Sequence, residues 1–244
     1  ISAAVHYTRK QPGPLHKKMR LDRIIGDLAQ TYISGTGLSN DLPSGVMAFL
    51  KSERGLDMPD LQFLFNAAPM TASPYFAPFS QPYEDGFACR AVLLRPESRG
   101  YVGLQSKSPW DAPKIDPQYL TDSEGKDLAT LKRGVKLAHQ ILLSSEFDHL
   151  RLGNTLPYPS GELTEELIEK HIERATECVY HPIGTCKMGN DSNAVTDPQT
   201  LRVKGIKGLR VIDASIMPDL VSGNTNSIAM AIGEKGSDLI LNNY

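Results

Sequence analysis

The chain has 244 residues, of which 40% are hydrophobic and 22% charged, with a formal net charge of −2. This composition is typical of an ordinary globular protein that is long enough to bury a sizeable core. The basic residues are scattered, which argues against nucleic acid or an anionic membrane as a partner. No apolar run approaches the roughly 20 residues of a membrane-spanning helix. Three cysteines are an odd number for a disulfide framework, so we expect reduced thiols and a cytoplasmic location, with membrane association of a longer protein left open.

The first half of the chain combines irregular segments with strand patterns. We predict an irregular region up to about residue 59, interrupted by a helical stretch near residues 21–32. Residues 71–86, with three prolines, are predicted to form a long loop, and loops of that length are often functional. Residues 96–100 are predicted to connect two strands as a hairpin. The segments with strand patterns are 61–65, 87–94 and 101–106.

The second half is richer in helix patterns. The strongest covers residues 123–146, and a second is predicted from Thr164, as N-cap, to about residue 176. A short strand at 209–213 and a final helix at 224–241 complete the prediction. Because strands are grouped before and between helices without regular alternation, we predict an α+β fold, with a mostly antiparallel sheet flanked by helices.

A candidate catalytic histidine lies in the glycine-rich stretch that follows the second helix. His181 is preceded by Tyr180 and followed by Pro182, which restricts the backbone of the histidine. A histidine held in this way is suited to general base catalysis near neutral pH. Taken alone, however, a loop histidine is more often structural or solvated than catalytic.

A second polar stretch opens the final helix. Asn224 and Thr225 stand where the first helical N–H groups have no partners inside the helix. Such a position favours an oxygen atom or a negative charge. Simple N-capping by either residue is the alternative interpretation, and without further context it is the commoner one.

Other chemistries receive less support from the sequence. Cys178, His181 and Cys186 do not make the four-ligand set of a structural zinc site, so we predict no metal. No Gly-x-Ser-x-Gly motif occurs, which argues against a serine hydrolase of the usual strand-turn-helix type. Nothing in the sequence indicates an activated thiolate at Cys186, so an inert thiol is the better interpretation.

Taken together and in order, the motifs resemble those of the glucose–methanol–choline family of FAD-dependent oxidoreductases. Four segments carry the resemblance, and Asn224-Thr225-Asn226 then opens the last helix as in members with Asn at the second catalytic position. The segments are RPESRGYVGL at 95–104, PKIDPQYL at 113–120, HPIGTCKMG at 181–189 and LRVIDASIMP at 209–218.

The resemblance implies a function for the site residues. It implies that His181 takes the hydroxyl proton of an alcohol while a hydride passes to FAD, and that Asn224 hydrogen-bonds the developing alkoxide. It also implies a substrate-binding domain at 1–176, and a segment at 177–244 that carries the catalytic loop and completes the FAD domain. The residues implied to lie at the cofactor are Asp213, Ala214, Thr225 and Asn226, and the last two are implied to contribute their backbone.

One expected feature of the family is missing from the sequence. The Gly-x-Gly-x-x-Gly loop of a dinucleotide-binding domain does not occur. The chain also opens on Ile1 without an initiator methionine, so we expect an N-terminal FAD-binding portion of the same protein as partner, besides a small-molecule alcohol. The sequence does not identify the acceptor that reoxidises the flavin. Two alternatives also stay open: a noncatalytic substrate-domain module, and a flavin-containing lyase of the same fold.

Overall fold

The computed structural model describes residues 1–37, 40, 45–69, 71–152 and 163–242. The strands in these ranges are β1 (Ser2–Thr8), β2 (Val46–Leu50), β3 (Leu61–Asn66), β4 (Gly86–Leu93), β5 (Tyr101–Gly103) and β6 (Lys114–Asp116). The α-helices are α1 (Pro14–Lys18), α2 (Leu21–Ser34), α3 (Lys126–Leu142), α4 (Glu165–Ala175) and α5 (Asn226–Leu241). Antiparallel sheets combined with helices confirm the predicted α+β class.

The chain divides into two compact units, and each is made of two segments. The first unit comprises Ile1–Leu93 and Leu128–Glu177, and the second comprises Leu94–Asp127 and Cys178–Tyr244. The segment with the RPESRGYVGL and PKIDPQYL motifs therefore groups with the later segment that carries His181 and Asn224. All four sequence motifs consequently belong to the second unit.

Four of the described strands form the sheet of the first unit, in the order β1-β4-β3-β2. All neighbouring pairs are antiparallel, with Ser2 opposite Val92 in the β1–β4 pair. The prediction of an irregular region up to residue 59 was wrong, because that region contains β1 and β2. Both strands owe their hydrogen bonds to partners that come later in the chain, and a local sequence pattern does not reveal such pairing.

Helix α3 packs against the sheet of the first unit through the apolar stripe that its sequence predicts. The fully buried residues of that stripe recur at helical spacing: Leu131, Val135, Ala138 and Leu142. At Gly134 the helix approaches the strands closely, since a Cβ atom there would lie 2.9 Å from the Cβ of Ala91 and 3.2 Å from two methyl carbons of Leu61. The absence of a side chain at Gly134 therefore sets the distance between helix and sheet.

We expect Gly134→Ala to lower the free energy of unfolding by about 1–3 kcal/mol, because the added methyl group overpacks a contact made by strand atoms that have little room to move. Gly26→Ala is the matched control, since Gly26 lies within α2 with no atom within 4 Å of its Cβ position. That variant should gain roughly 0.5–1 kcal/mol from helix propensity. Urea denaturation measures both, and equal stabilisation of the two variants would refute the close-packing argument.

Strand β5 does not continue the sheet of the first unit. It pairs instead with β6, with Tyr101 opposite Asp116, so the predicted hairpin connection at residues 96–100 was wrong. The buried Asp127 carboxylate explains the difference, because it accepts hydrogen bonds from the N–H groups of Glu97 and Ser98 at 2.8 and 2.9 Å. The Ser98 hydroxyl adds a third bond at 2.6 Å. These bonds hold Glu97 and Ser98 beside Asp127 and not in a hairpin connection between β4 and β5.

The core of the second unit forms where α5 meets the segment before it. The buried residues are Leu201, Ile216 and Leu239, with partly buried Met188, Val211, Ile212 and Ile232 against them. Residues 209–213 make isolated bridges and single hydrogen bonds instead of the predicted strand. That prediction was wrong, because the segment meets residues 201–203 only through one isolated bridge and single hydrogen bonds, and Asp213 then caps the 3-10 turn Ala214–Ile216.

Each helix of the described ranges is too short or too polar to serve as a membrane-spanning segment.

The three cysteines are free thiols. Cys89 lies buried on β4, and desolvation raises the pKa of its thiol to about 12. A thiol with this pKa stays protonated and inert near neutral pH.

Candidate active site

The structure brings the two predicted catalytic residues into direct contact within the second unit. His181 Nε2 lies 3.1 Å from Asn224 Nδ2, although the residues are 43 positions apart in the chain. The other ring nitrogen, Nδ1, lies 3.0 Å from the hydroxyl oxygen of Thr225. An imidazole nitrogen and a carboxamide nitrogen therefore lie side by side just before the first turn of α5. Asn224 is exposed, whereas Thr225 is buried.

The His181 segment is fixed to the 3-10 turn Ala214–Ile216 by backbone hydrogen bonds. The Cys186 N–H donates to the Ser215 carbonyl at 3.0 Å, and the Met188 N–H donates to the Ile216 carbonyl at 2.7 Å. The motifs at 181–189 and 209–218 therefore form one structural element. Gly184 bends this element with a positive φ of 86°, a conformation that glycine adopts without strain.

The predicted cofactor residues lie at the 3-10 turn of this element and at the start of α5. Asp213 uses one carboxylate oxygen to accept hydrogen bonds from the N–H and the hydroxyl of Ser215. It remains exposed, and Ala214 beside it is half-buried. Asn226 is the first residue of α5 and is also exposed. The N–H groups of the first helical turn have no acceptor within the helix, so this end of α5 favours an anionic or oxygen-rich ligand.

Tyr119 and Cys178 support the loop before His181. The Cys178 sulfur accepts the Tyr180 N–H at 3.1 Å, and Tyr180 has an unusual positive φ of 60°. Burial acts to raise the pKa of the Cys178 thiol, whereas hydrogen bonds from the Tyr119 hydroxyl and the backbone act to lower it. Burial and the same hydrogen bond raise the pKa of Tyr119 to about 12. The sequence analysis did not identify this pair.

A second support links the RPESRGYVGL motif to the segment before Asn224. The Arg95 guanidinium donates from Nε and from one terminal nitrogen to the Ser222 hydroxyl, at 3.2 and 3.0 Å. Arg99 forms an ion pair with Asp219 at 3.5 Å, but both side chains are exposed, so this pair contributes little. Arg95 was quoted only as part of a motif, and its contact with the Asn224 segment was not foreseen.

The described residues do not assemble a metal site. No group of three or more His, Cys, Asp or Glu side chains in the described ranges is arranged to hold a metal ion. The contact between His181 and Asn224 places a possible base beside a hydrogen-bond donor.

Comparison with known proteins identifies the relatives of this chain. The sequence model described as GMC oxidoreductase matches residues 96–233. An alcohol dehydrogenase (acceptor) of Pseudomonas putida is 38% identical over 203 residues, which are 83% of this chain and 35% of the relative. The choline oxidase of Arthrobacter globiformis is 37% identical over 194 residues, which are 79% of this chain and 35% of the relative.

Solved structures show the same fold. A formate oxidase of Aspergillus oryzae, in a structure that concerns FAD modification, matches with a TM-score of 0.79 at 19% identity, covering 100% of this chain and 46% of that protein. The matched sequence and the shared fold place the chain in the class of oxidoreductases.

Within that class, the chain belongs to the GMC oxidoreductase family, because the family model covers residues 96–233 of its 244 residues. This finding confirms the resemblance inferred from the four motifs. FAD is named for the formate oxidase structure. The chain spans between 35% and 41% of the length of the curated relatives considered.

Proposed function

We propose that this chain carries the substrate side of an FAD-dependent enzyme that oxidises an alcohol to an aldehyde or ketone. The observation that carries the proposal is the 3.1 Å contact between His181 Nε2 and Asn224 Nδ2. These two atoms pair an acceptor of protons with a donor of hydrogen bonds, and a reacting hydroxyl group needs both. Relatives named as acting on alcohols and on choline support the proposed class of substrate.

The residues present fit one part of FAD and not the other. The exposed first turn of α5 offers N–H groups to the electron-rich edge of a flavin ring, and Asp213 offers a carboxylate to hydroxyl groups such as those of the ribityl chain. The glycine-rich loop that would hold the ADP part is absent from the sequence. We therefore propose that an N-terminal FAD-binding portion of the same protein completes the site, and we call the combined protein the holoenzyme.

Bound FAD supplies the hydride acceptor, and the groups of this chain prepare the alcohol for it. His181 Nε2 accepts the proton of the substrate hydroxyl as a general base. The Asn224 amide donates a hydrogen bond to the same oxygen as negative charge develops on it. Because the contacts described above hold both residues in place, the oxygen meets base and donor without a large rearrangement. In this proposal residues 1–176 bind the substrate, and residues 177–244 carry the catalytic loop and complete the FAD domain.

A second candidate, a substrate-domain module without bound flavin, is favoured by the missing glycine-rich loop. One experiment separates the two. The purified holoenzyme should be yellow, and its flavin absorbance should bleach under anaerobic conditions when a panel of primary alcohols that includes choline is added. A yellow protein that no alcohol in the panel bleaches would contradict the proposed oxidation, and a colourless protein would favour the module without flavin.

A further inference from the structure

The hydroxyl of Thr225 has an unusual partner for its position. Thr225 is the N-cap residue of α5 and is only 8% exposed, but its side chain makes no capping hydrogen bond. Threonine at this position commonly accepts an N–H from the first turn. Thr164 does so at α4, where its hydroxyl oxygen accepts the Leu167 N–H at 3.2 Å. The Thr225 hydroxyl instead lies 3.0 Å from His181 Nδ1.

The partners of the imidazole define which ring nitrogen carries its hydrogen. An amide nitrogen donates and does not accept, so the contact with Asn224 Nδ2 makes His181 Nε2 the acceptor. A neutral imidazole that accepts at Nε2 carries its hydrogen on Nδ1. Nδ1 then donates to the hydroxyl oxygen of Thr225. The two contacts are consistent only when Nε2 carries no hydrogen, as a base requires.

We propose that Thr225 is a positioning residue that holds His181 in the tautomer with hydrogen on Nδ1 and a lone pair on Nε2. The inference rests on the proposed function of His181 as the base. It assigns the Thr225 side chain a task separate from the cofactor contact that family resemblance implies for the backbone of this residue. The hydroxyl thus contacts the imidazole and not an N–H group of the first turn of α5.

The inference predicts different effects for two substitutions of Thr225 in the holoenzyme. In Thr225→Val, which keeps the shape but removes the hydroxyl, the limiting rate of flavin reduction at saturating alcohol should fall by about 3- to 10-fold, the factor that one neutral hydrogen bond supports. Thr225→Ser should restore most of the rate. The alcohol concentration that gives half-maximal rate and the FAD content should stay unchanged, because the residue does not touch the substrate. Anaerobic stopped-flow absorbance measures the rates.

Thr164→Val is the matched control, because it removes a threonine hydroxyl that caps a helix in the other unit. It should lower Tm without changing the rate of flavin reduction. A wild-type rate in Thr225→Val, or an equally slow rate in Thr225→Ser, would overturn the proposed role of the hydroxyl.

Nitrogen NMR of the holoenzyme labelled with ¹⁵N-histidine tests the tautomer without any substitution of Thr225. The His181 signal, assigned by its loss in His181→Ala, should show a protonated Nδ1 and an unprotonated Nε2. A dominant form with hydrogen on Nε2 would overturn the inference even if Thr225→Val failed to fold. Failure of the proposed function looks different: His181→Ala itself would then reduce flavin at the wild-type rate.

Discussion

His181→Ala is expected to slow reduction of the flavin by the alcohol by about 10²–10⁴-fold, the range that a positioned general base contributes. The imidazole of His181 contacts Asn224 through Nε2. Without it, water must take the hydroxyl proton. Anaerobic stopped-flow measurement on the holoenzyme gives the rate directly, and the absorbance spectrum before mixing shows whether flavin is still bound.

His149→Ala is the control for that experiment. His149 is an exposed histidine of the first unit, and its removal should leave both flavin content and reduction rate unchanged. If His181→Ala kept bound flavin and reduced it as fast as the wild-type holoenzyme, His181 would not be the base.

Asn224→Ala should slow the same step by about 10²–10³-fold, as observed when one donor to a developing oxyanion is removed. Asn224→Asp should be slower still, because it keeps the size of the side chain but replaces the N–H donor with a second oxygen that repels the alkoxide. A rate of flavin reduction that falls from wild type to Asn224→Ala and again to Asn224→Asp is a specific consequence of hydrogen-bond donation. A merely steric role for Asn224 would instead leave aspartate close to the wild type.

Asn193→Ala controls for the loss of a carboxamide elsewhere in the second unit. Asn193 is exposed, and the hydrogen bond described for it uses its backbone N–H, which donates to Asp191. This variant should therefore reduce flavin at the wild-type rate. A similar loss in Asn193→Ala and Asn224→Ala would point to a general effect on the unit, and the assignment of Asn224 as donor would fail.

The fold was predictable where one segment carries its own pattern. The apolar stripe of α3 and the N-cap Thr164 of α4 are both visible in the sequence and present in the structure. Strands β1 and β2 were missed because their stability comes from pairing with strands that lie later in the chain. The predicted hairpin connection at residues 96–100 was wrong for a similar reason. The Asp127 carboxylate, which accepts hydrogen bonds from N–H groups of this segment, lies well beyond it in the chain.

The candidate site was predictable as a set of residues but not as a network. The motifs supplied His181 and Asn224, while no spacing rule could show that their side chains meet. Thr225 was expected to contribute its backbone, and the structure adds the contact of its hydroxyl with His181 Nδ1. Cys178 gave no usable signal either, because its sulfur acts through hydrogen bonds with the Tyr119 hydroxyl and with the backbone N–H of Tyr180, the residue beside His181.

A crystal structure of the holoenzyme with bound FAD and a slow alcohol analogue would test the account most directly. It should show the analogue's hydroxyl oxygen in contact with both His181 Nε2 and the Asn224 amide, on the side of the flavin ring where hydride is accepted. If the hydroxyl bound elsewhere, or if the imidazole and the carboxamide faced away from the ring, neither residue would have the chemical role given to it.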